Sequence, residues 1–360
     1  MSAHEIVIGI MAIFALLGAA DRIFGNRFGL GKEFEEGILA MGSLAMAMLG
    51  IISLAPVLAS VLKPVVVPVY RFLGADPAMF AGTILASDMG GGALAAEMTQ
   101  DPQAALLGGV LTGSMLGATI VFTIPVAMGI LREEDRPAMA KGILCGTVTI
   151  PVGVLVGGLT AGFPVGMVLR NLIPIVIIGA LIALGLWKAE NAMVKGFSVF
   201  GKVVVAVVTV GLAAAILEEL TGFVLIPGMA PLSEGFATVG AIAIVLAGAF
   251  PLVLVLTKLL RKPLVKLGKV LGINETAAAG LIASLANSIA TFGMVKDMNQ
   301  RGKVVNIAFA VSAAFVFGDH LGFTAGFAPE MLVSVIVGKL AGGISAVAVA
   351  LWLTGKEDKL

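Results

Sequence analysis

One cysteine, two histidines and 12% charged residues are all that this 360-residue chain offers to redox, metal or ionic chemistry. Cys145 alone can neither close an internal disulfide nor build a cysteine-based metal cluster. His4 lies near the amino terminus and His320 far from it, so no zinc or haem constellation can be assembled, and no cofactor or metal is expected. The absence of a Walker-type lysine loop argues against an ATP-driven pump. A formal net charge of +1 supplies no basic field for nucleic acid. What the chain does have is apolar bulk: 59% hydrophobic residues and a mean hydropathy of +1.08 lie far outside the soluble range. The lipid bilayer is therefore its expected partner. Residues Met1 to Glu5 carry no cationic flank, and no small-residue cleavage site follows the first apolar run, which is expected to be a retained span. The 17 methionines show no metal-ligand spacing and fill gaps.

The pattern along the chain is that of an all-α integral membrane protein. Windows long enough to cross the hydrocarbon core, about 20 residues, fall near 5–21, 37–62, 103–130, 138–162, 167–187, 197–217, 235–260, 303–327 and 330–353, which predicts nine spans. Two further segments, 77–98 and 276–295, are interrupted by Asp88-Met-Gly-Gly-Gly92 and Ser284-Leu-Ala-Asn287-Ser288, and read as re-entrant hairpins. Short apolar pieces, 64–73 and 263–271, flank them.

Lysine and arginine crowd cytoplasmic loops. Placing the carboxyl terminus (Lys356, Lys359) inside also puts 188–202, 258–269 and 296–303 inside, together with Arg132, Arg136, Lys141, Arg22, Arg27 and Lys32. Lys63 and Arg71 are then the exceptions. The same orientation makes the two hairpins enter from opposite faces, an inverted-repeat arrangement. Residues 1–162 form the first repeat, 163–195 the linking span, 196–353 the second repeat and 354–360 a cytoplasmic tail. Echoes in matching order support the duplication: Glu36-Gly37 with Glu234-Gly235, Lys63-Pro64 with Lys262-Pro263, Ala81-Gly82 with Ala279-Gly280, and Gly153 and Gly157 with Gly338 and Gly342. The pentapeptide Gly113-Ser-Met-Leu-Gly117 returns as Gly318-Asp-His-Leu-Gly322. Each copy is expected to break a helix at the midplane, as paired discontinuous elements do in secondary transporters.

Candidate binding residues are the polar groups embedded at these interruptions. Asp88 and Asp319 are the carboxylates deepest in apolar sequence, where an unpaired charge costs about 2.5–3.5 kcal/mol on insertion scales. A cationic substrate, a coupling ion or the embedded Lys339 can compensate them. A permanent Asp319–Lys339 ion pair, or a hairpin tip that exposes Asp88 to water, is the structural alternative. His320 can relay protons, orient its neighbour Asp319 or serve only as a structural hydrogen-bonding group. Asn287, Ser284 and Ser288 stand at the second hairpin's turn, Thr83 in the first hairpin, and Ser114 at the position equivalent to Asp319; such groups suit a hydroxyl-bearing ligand. Gly90 and Gly91, with Gly113, Gly117, Gly318 and Gly322, are the expected breaks or hinges. An anion carrier would favour cationic or amide-and-serine ligands over two aspartates. A membrane-embedded enzyme would need a nucleophile or metal that the sequence does not supply.

Beyond these features the chain resembles the ethanolamine permease family, encoded with bacterial ethanolamine-utilisation enzymes. The resemblance runs over nearly the whole length. It is densest in Phe34-Glu-Glu-Gly37, Leu54-Ala-Pro-Val57, Asp88-Met-Gly-Gly91, Ile120-Val-Phe through Ile124-Pro-Val126, Arg301-Gly-Lys-Val304, and Phe309 through Gly318-Asp-His-Leu-Gly-Phe323. The resemblance implies an inner-membrane protein that admits ethanolamine to the cytoplasm by alternating access, as uniport or with a coupled ion. Loops near 25–33 and 221–231 are shorter than is usual for the family, and 287–290 reads Asn-Ser-Ile-Ala where a second asparagine and a proline are expected. The sequence leaves homo-oligomerisation open.

Overall fold

The computed structural model describes residues 2–355, so Lys356 and Lys359, and with them most of the expected 354–360 tail, lie outside the described residues. Every regular element among those residues is helical. The chain opens with α1 (Ala3–Ile23) and α2 (Leu30–Phe72), followed by two short helices, α3 (Ala78–Ile84) and α4 (Gly91–Met98). The composite helix α5 occupies Pro102–Ile130, and α6 (Arg136–Thr147) and α7 (Ile150–Thr160) follow. Then come α8 (Val165–Thr221) and α9 (Leu232–Leu271). A second set of short pieces comprises α10 (Glu275–Ala286), α11 (Ser288–Met294), α12 (Gln300–Ala313) and α13 (Asp319–Phe327), and α14 (Leu332–Thr354) closes the chain.

Among the described residues, eight helical stretches are long and apolar enough to cross a membrane, one fewer than the nine expected. The missing one is 303–327, which is divided into α12 and α13 by an irregular Ala314–Gly318 segment. The short apolar pieces 64–73 and 263–271 are not separate elements but the ends of α2 and α9. Both helices continue through internal prolines, Pro56, Pro64 and Pro68 in α2 and Pro251 and Pro263 in α9. Prolines are tolerated in such helices because neighbouring groups re-satisfy the freed carbonyls. At 1.5 Å per residue, the 43 residues of α2 run to about 65 Å, well beyond the roughly 30 Å hydrocarbon core. The 57-residue α8 breaks at Ala189 (φ −147°, ψ 50°) and holds two spans, Val165–Leu186 and Asn191–Thr221. A methyl group on Gly185 would lie 2.6 Å from Met193 Sδ, so the chain doubles back at this point.

Helices from the two halves pack on one another in matched pairs. A Cβ on Gly37 of α2 would meet the backbone of Ala247 at 2.5 Å, and one on Gly235 of α9 would meet Leu49 Cδ2 at 2.7 Å. In α7 and α14, a Cβ on Gly153 would stand 2.8 Å from the carbonyl oxygen of Gly338, and one on Gly338 the same 2.8 Å from that of Gly153. Each seam is antiparallel, since rising numbers on one helix meet falling numbers on the other. Small residues permit this approach where no hydrophobic effect drives helices together.

Candidate cation site between two helix interruptions

The site is built from two places where the helical hydrogen-bond ladder stops. Between α3 and α4, Leu85 and Ala86 are extended (Leu85 φ −123°, ψ 142°), Ser87–Met89 form one 3₁₀ turn, and Gly90 takes a left-handed φ of 95° before α4 begins at Gly91. The left-handed residue is a glycine because a side chain there would be strained. This bend carries Asp88. Between α12 and α13, Ala314 turns extended, Phe315 adopts φ 62°, and Gly318 precedes Asp319, the first residue of α13. A left-handed phenylalanine is a rare backbone state that persists only when its surroundings over-determine it. Here they do: the Phe315 and Phe317 N–H groups donate to the carbonyls of Ser284 and Leu285 at 3.0 and 2.9 Å, in the last turn of α10. Orphan carbonyls at one helix end thus satisfy orphan amides at another. Gly318 closes the joint, for a Cβ there would fall 2.1 Å from the oxygen of Ala286. Gly318→Ala is accordingly expected to lower stability by about 1–3 kcal/mol, the cost of overpacking. Thermal unfolding of the detergent-solubilised protein measures it, and an unchanged midpoint contradicts the contact.

The first copy of the glycine pentapeptide behaves differently from expectation. Gly113 and Gly117 do not break α5, which instead widens into π-helical turns over Leu106–Gly117 and Thr119–Thr123. The glycines serve close approach. A Cβ on Gly117 would lie 1.8 Å from Leu85 O and one on Gly113 3.0 Å from Ser87 N, so the Asp88 bend rests directly on this face. The Ala118 N–H donates to the carbonyls of Gly113 and Met115 and passes over that of Ser114.

A cavity of about 30 Å³ lies between the two interruptions, lined by Ala86, Asp88, Met89, Ala118, Phe122, Phe315, Asp319 and His320. That is room for one or two water molecules. Asp88 and Asp319 therefore share one wall-to-wall space, although 231 positions separate them in the chain. Asp88 Oδ1 is buried without a hydrogen-bond partner, and His320 Nε2 stands 3.6 Å from it. Phe315 packs tilted on the His320 ring at 5.2 Å between centroids and edge-on to Phe122 at 5.3 Å. Two carboxylates and two aromatic rings around a small cavity are the groups that attract an organic ammonium.

Lys339 does not pair with Asp319. Its ammonium, on a residue only 1% exposed, donates to Ser114 O at 2.6 Å and lies 3.0 Å from His320 Nδ1. The remaining expected site residues lie apart. The Ser114 hydroxyl donates within its own helix to Leu111 O, and the Thr83 hydroxyl to Phe80 O, on the wall of a separate apolar cavity of about 480 Å³. Ser284 bonds Thr291 at 2.8 Å, and Asn287 accepts from Ile289 N as the cap of α11. Ser288 Oγ is buried with no partner. Of the glycines, Gly90 and Gly91 shape the Asp88 bend, while Gly322 sits inside α13 against Leu246. Phe122, Phe315 and Met89 had no sequence signal as site residues beyond their nearness to the glycine motifs. Lys63 and Arg71, the two exceptions to the charge pattern, line a cleft of about 650 Å³ with Arg170, Asp76 and Asp101.

Comparison with known proteins agrees with this membrane architecture. Residues 3–353 match the family model described as ethanolamine utilisation protein, EutH. A protein of Listeria monocytogenes named probable ethanolamine permease EutH is 60% identical over 359 residues, covering 100% of this chain and 96% of its own length. The Escherichia coli protein of the same name is 49% identical, covering 99% of this chain and 97% of its own, and Bacillus subtilis YxeR, uncharacterised, is 54% identical, covering 99% and 97%. No solved structure matches the chain. The relatives with a functional name are permeases, not enzymes, and this multi-pass membrane protein belongs to the EutH family of ethanolamine utilisation proteins.

Proposed function

We propose that this protein carries ethanolamine, as its monovalent cation, across the bacterial inner membrane by alternating access. The observation that carries the reading is the pair Asp88 and Asp319 on one buried cavity, with an Asp88 oxygen left unpartnered. An alkyl ammonium like that of lysine, with a pKa near 10.4, is protonated at neutral pH. It binds between the carboxylates and against the Phe122 and Phe315 rings. An organic anion would meet the same two carboxylates, and the cation behind them, Lys339, is already held by Ser114 and His320.

The cavity is smaller than a molecule of four heavy atoms, so loading requires its walls to part. The reciprocal, antiparallel seams Gly37–Ala247 with Leu49–Gly235, and Gly153 with Gly338, support two inverted repeats, 1–162 and 196–353, joined by 163–195. In that arrangement α3–α4 and α10–α11 are re-entrant hairpins from opposite faces, and the carboxyl terminus is cytoplasmic. Their movement against the long helices exposes the site to each side in turn.

A potential of 100 mV, inside negative, is worth about 2.3 kcal/mol per charge, roughly fiftyfold accumulation, so uniport of a cation needs no coupled ion. The test is uptake of labelled ethanolamine into liposomes holding the purified protein. Uptake should rise with an imposed inside-negative potential and persist without sodium or a proton gradient. Liposomes no more permeable than protein-free ones would end the proposal.

A further inference from the structure

We propose that Lys339 is a built-in counter-cation that holds the Asp88–Asp319 site at one net negative charge and thereby restricts cargo to a single positive charge. This rests on the transport reading above and adds a specificity-determining residue to it. Lysines in membrane-spanning helices normally reach toward the interface with their long stems. Lys339 cannot, because it follows Gly338 in the tight α7–α14 seam and is 1% exposed. Its ammonium is instead received by two acceptors: the Ser114 carbonyl, which the Ala118 N–H passes over, and the imidazole of His320.

The second contact fixes more than position. An ammonium has donors and no acceptor, so the His320 nitrogen facing it, Nδ1, must be the unprotonated one. The ring proton then sits on Nε2, aimed across 3.6 Å at Asp88 Oδ1. Lys339, neutral His320 and Asp88 form a line with its positive end in the protein and its negative end in the cavity. Asp88, Asp319 and His320 are the titratable groups on the cavity wall. With Lys339 behind them, two carboxylates and one ammonium leave a single unit of negative charge.

In a site this small and largely buried, the loaded complex is favoured when charge balances and penalised when it does not. One alkyl ammonium brings the sum to zero. A diammonium of the same size leaves an uncompensated positive charge facing His320 and Lys339. Removing the Lys339 charge shifts the balance point to two positive charges.

Ethanolamine and ethylenediamine are near-isosteric, and at mildly acidic pH the diamine carries two charges. The experiment measures how well each, unlabelled, competes with labelled ethanolamine for entry into liposomes holding wild type, Lys339→Met, Lys339→Gln or Lys339→Arg. Wild type and Lys339→Arg should prefer ethanolamine by on the order of a hundredfold. In Lys339→Met and Lys339→Gln the preference should shrink at least about tenfold or reverse. A wild type that accepts both competitors equally overturns the proposal whatever the variants do, as does an unchanged preference in a variant that still carries ethanolamine. Should the neutral variants not fold, wild type and Lys339→Arg decide: a preference for ethanolamine over the diamine kept in both supports the proposal, and equal competition by the two in either overturns it. A wild type that carries no ethanolamine at all refutes the transport reading itself, a result separable from unaltered selectivity in a working carrier.

Discussion

Asp88→Asn should lower ethanolamine uptake by roughly thirtyfold to several thousandfold while leaving the amount of folded protein unchanged. The substitution keeps the size and planarity of the side chain, removes its charge and turns one acceptor oxygen into an amide donor. Losing one partner of a buried charge pair costs about 2–5 kcal/mol, and each 1.4 kcal/mol is about a factor of ten. Stability should hold because Asp88 Oδ1 has no hydrogen bond to lose, and the nearest basic atom, His320 Nε2, is 3.6 Å away. Asp319→Asn belongs in the same experiment, since its carboxylate faces the same cavity from the first turn of α13. Uptake assays on matched quantities of reconstituted protein measure both. Wild-type rates in both variants would remove the carboxylates from the mechanism.

The second large effect lies far from the cavity and concerns stability. Lys303, in the first turns of α12, donates to Asp135, just before α6, and the two side chains are 9% and 1% exposed. Removing one partner from such a pair strands a buried charge and typically costs about 3–5 kcal/mol, whereas replacing both with apolar groups is often close to neutral. Lys303→Met is therefore expected to lower the unfolding free energy by about that amount, and Lys303→Met with Asp135→Leu to recover most of it. Denaturant unfolding in detergent of wild type, the two single variants and the double variant closes the cycle. Losses that simply add would show that the two residues are not coupled.

The amino-acid sequence disclosed the helical membrane class of the fold and the two carboxylates of the candidate site for one reason: charge is rare in this chain. Asp88 and Asp319 stood out against apolar neighbours, and both line the cavity. The same logic drew attention to His320 and Lys339, but the structural alternative it raised, an Asp319–Lys339 ion pair, is not formed: the ammonium of Lys339 goes to Ser114 O and His320. A carbonyl leaves no trace in side-chain chemistry, so a backbone acceptor such as Ser114 O cannot be read from residue types. Glycine was ambiguous for a related reason. Gly318 stands at a true interruption, whereas Gly113 and Gly117 sit in an unbroken helix and make room for the Leu85–Ser87 bend. Missing side chains serve both purposes, and only the neighbour across the gap tells them apart. Phe122 and Phe315 escaped because aromatic rings in apolar stretches look like packing until a carboxylate is found beside them.

The two amide-to-carbonyl bonds that tie Phe315 and Phe317 to the end of α10 bear on which genetic changes the protein can absorb. That anchor is written in main chain, so replacing Leu285 by another residue of similar bulk leaves it in place. Inserting a single residue in the final turn of α10 does not, because it rotates the accepting carbonyls by about 100° away from the Phe315 and Phe317 amides they serve. Drift in spelling is tolerated there and drift in length is not, so lineages descended from this chain should vary α10 by substitution and keep its register with Asp319 fixed.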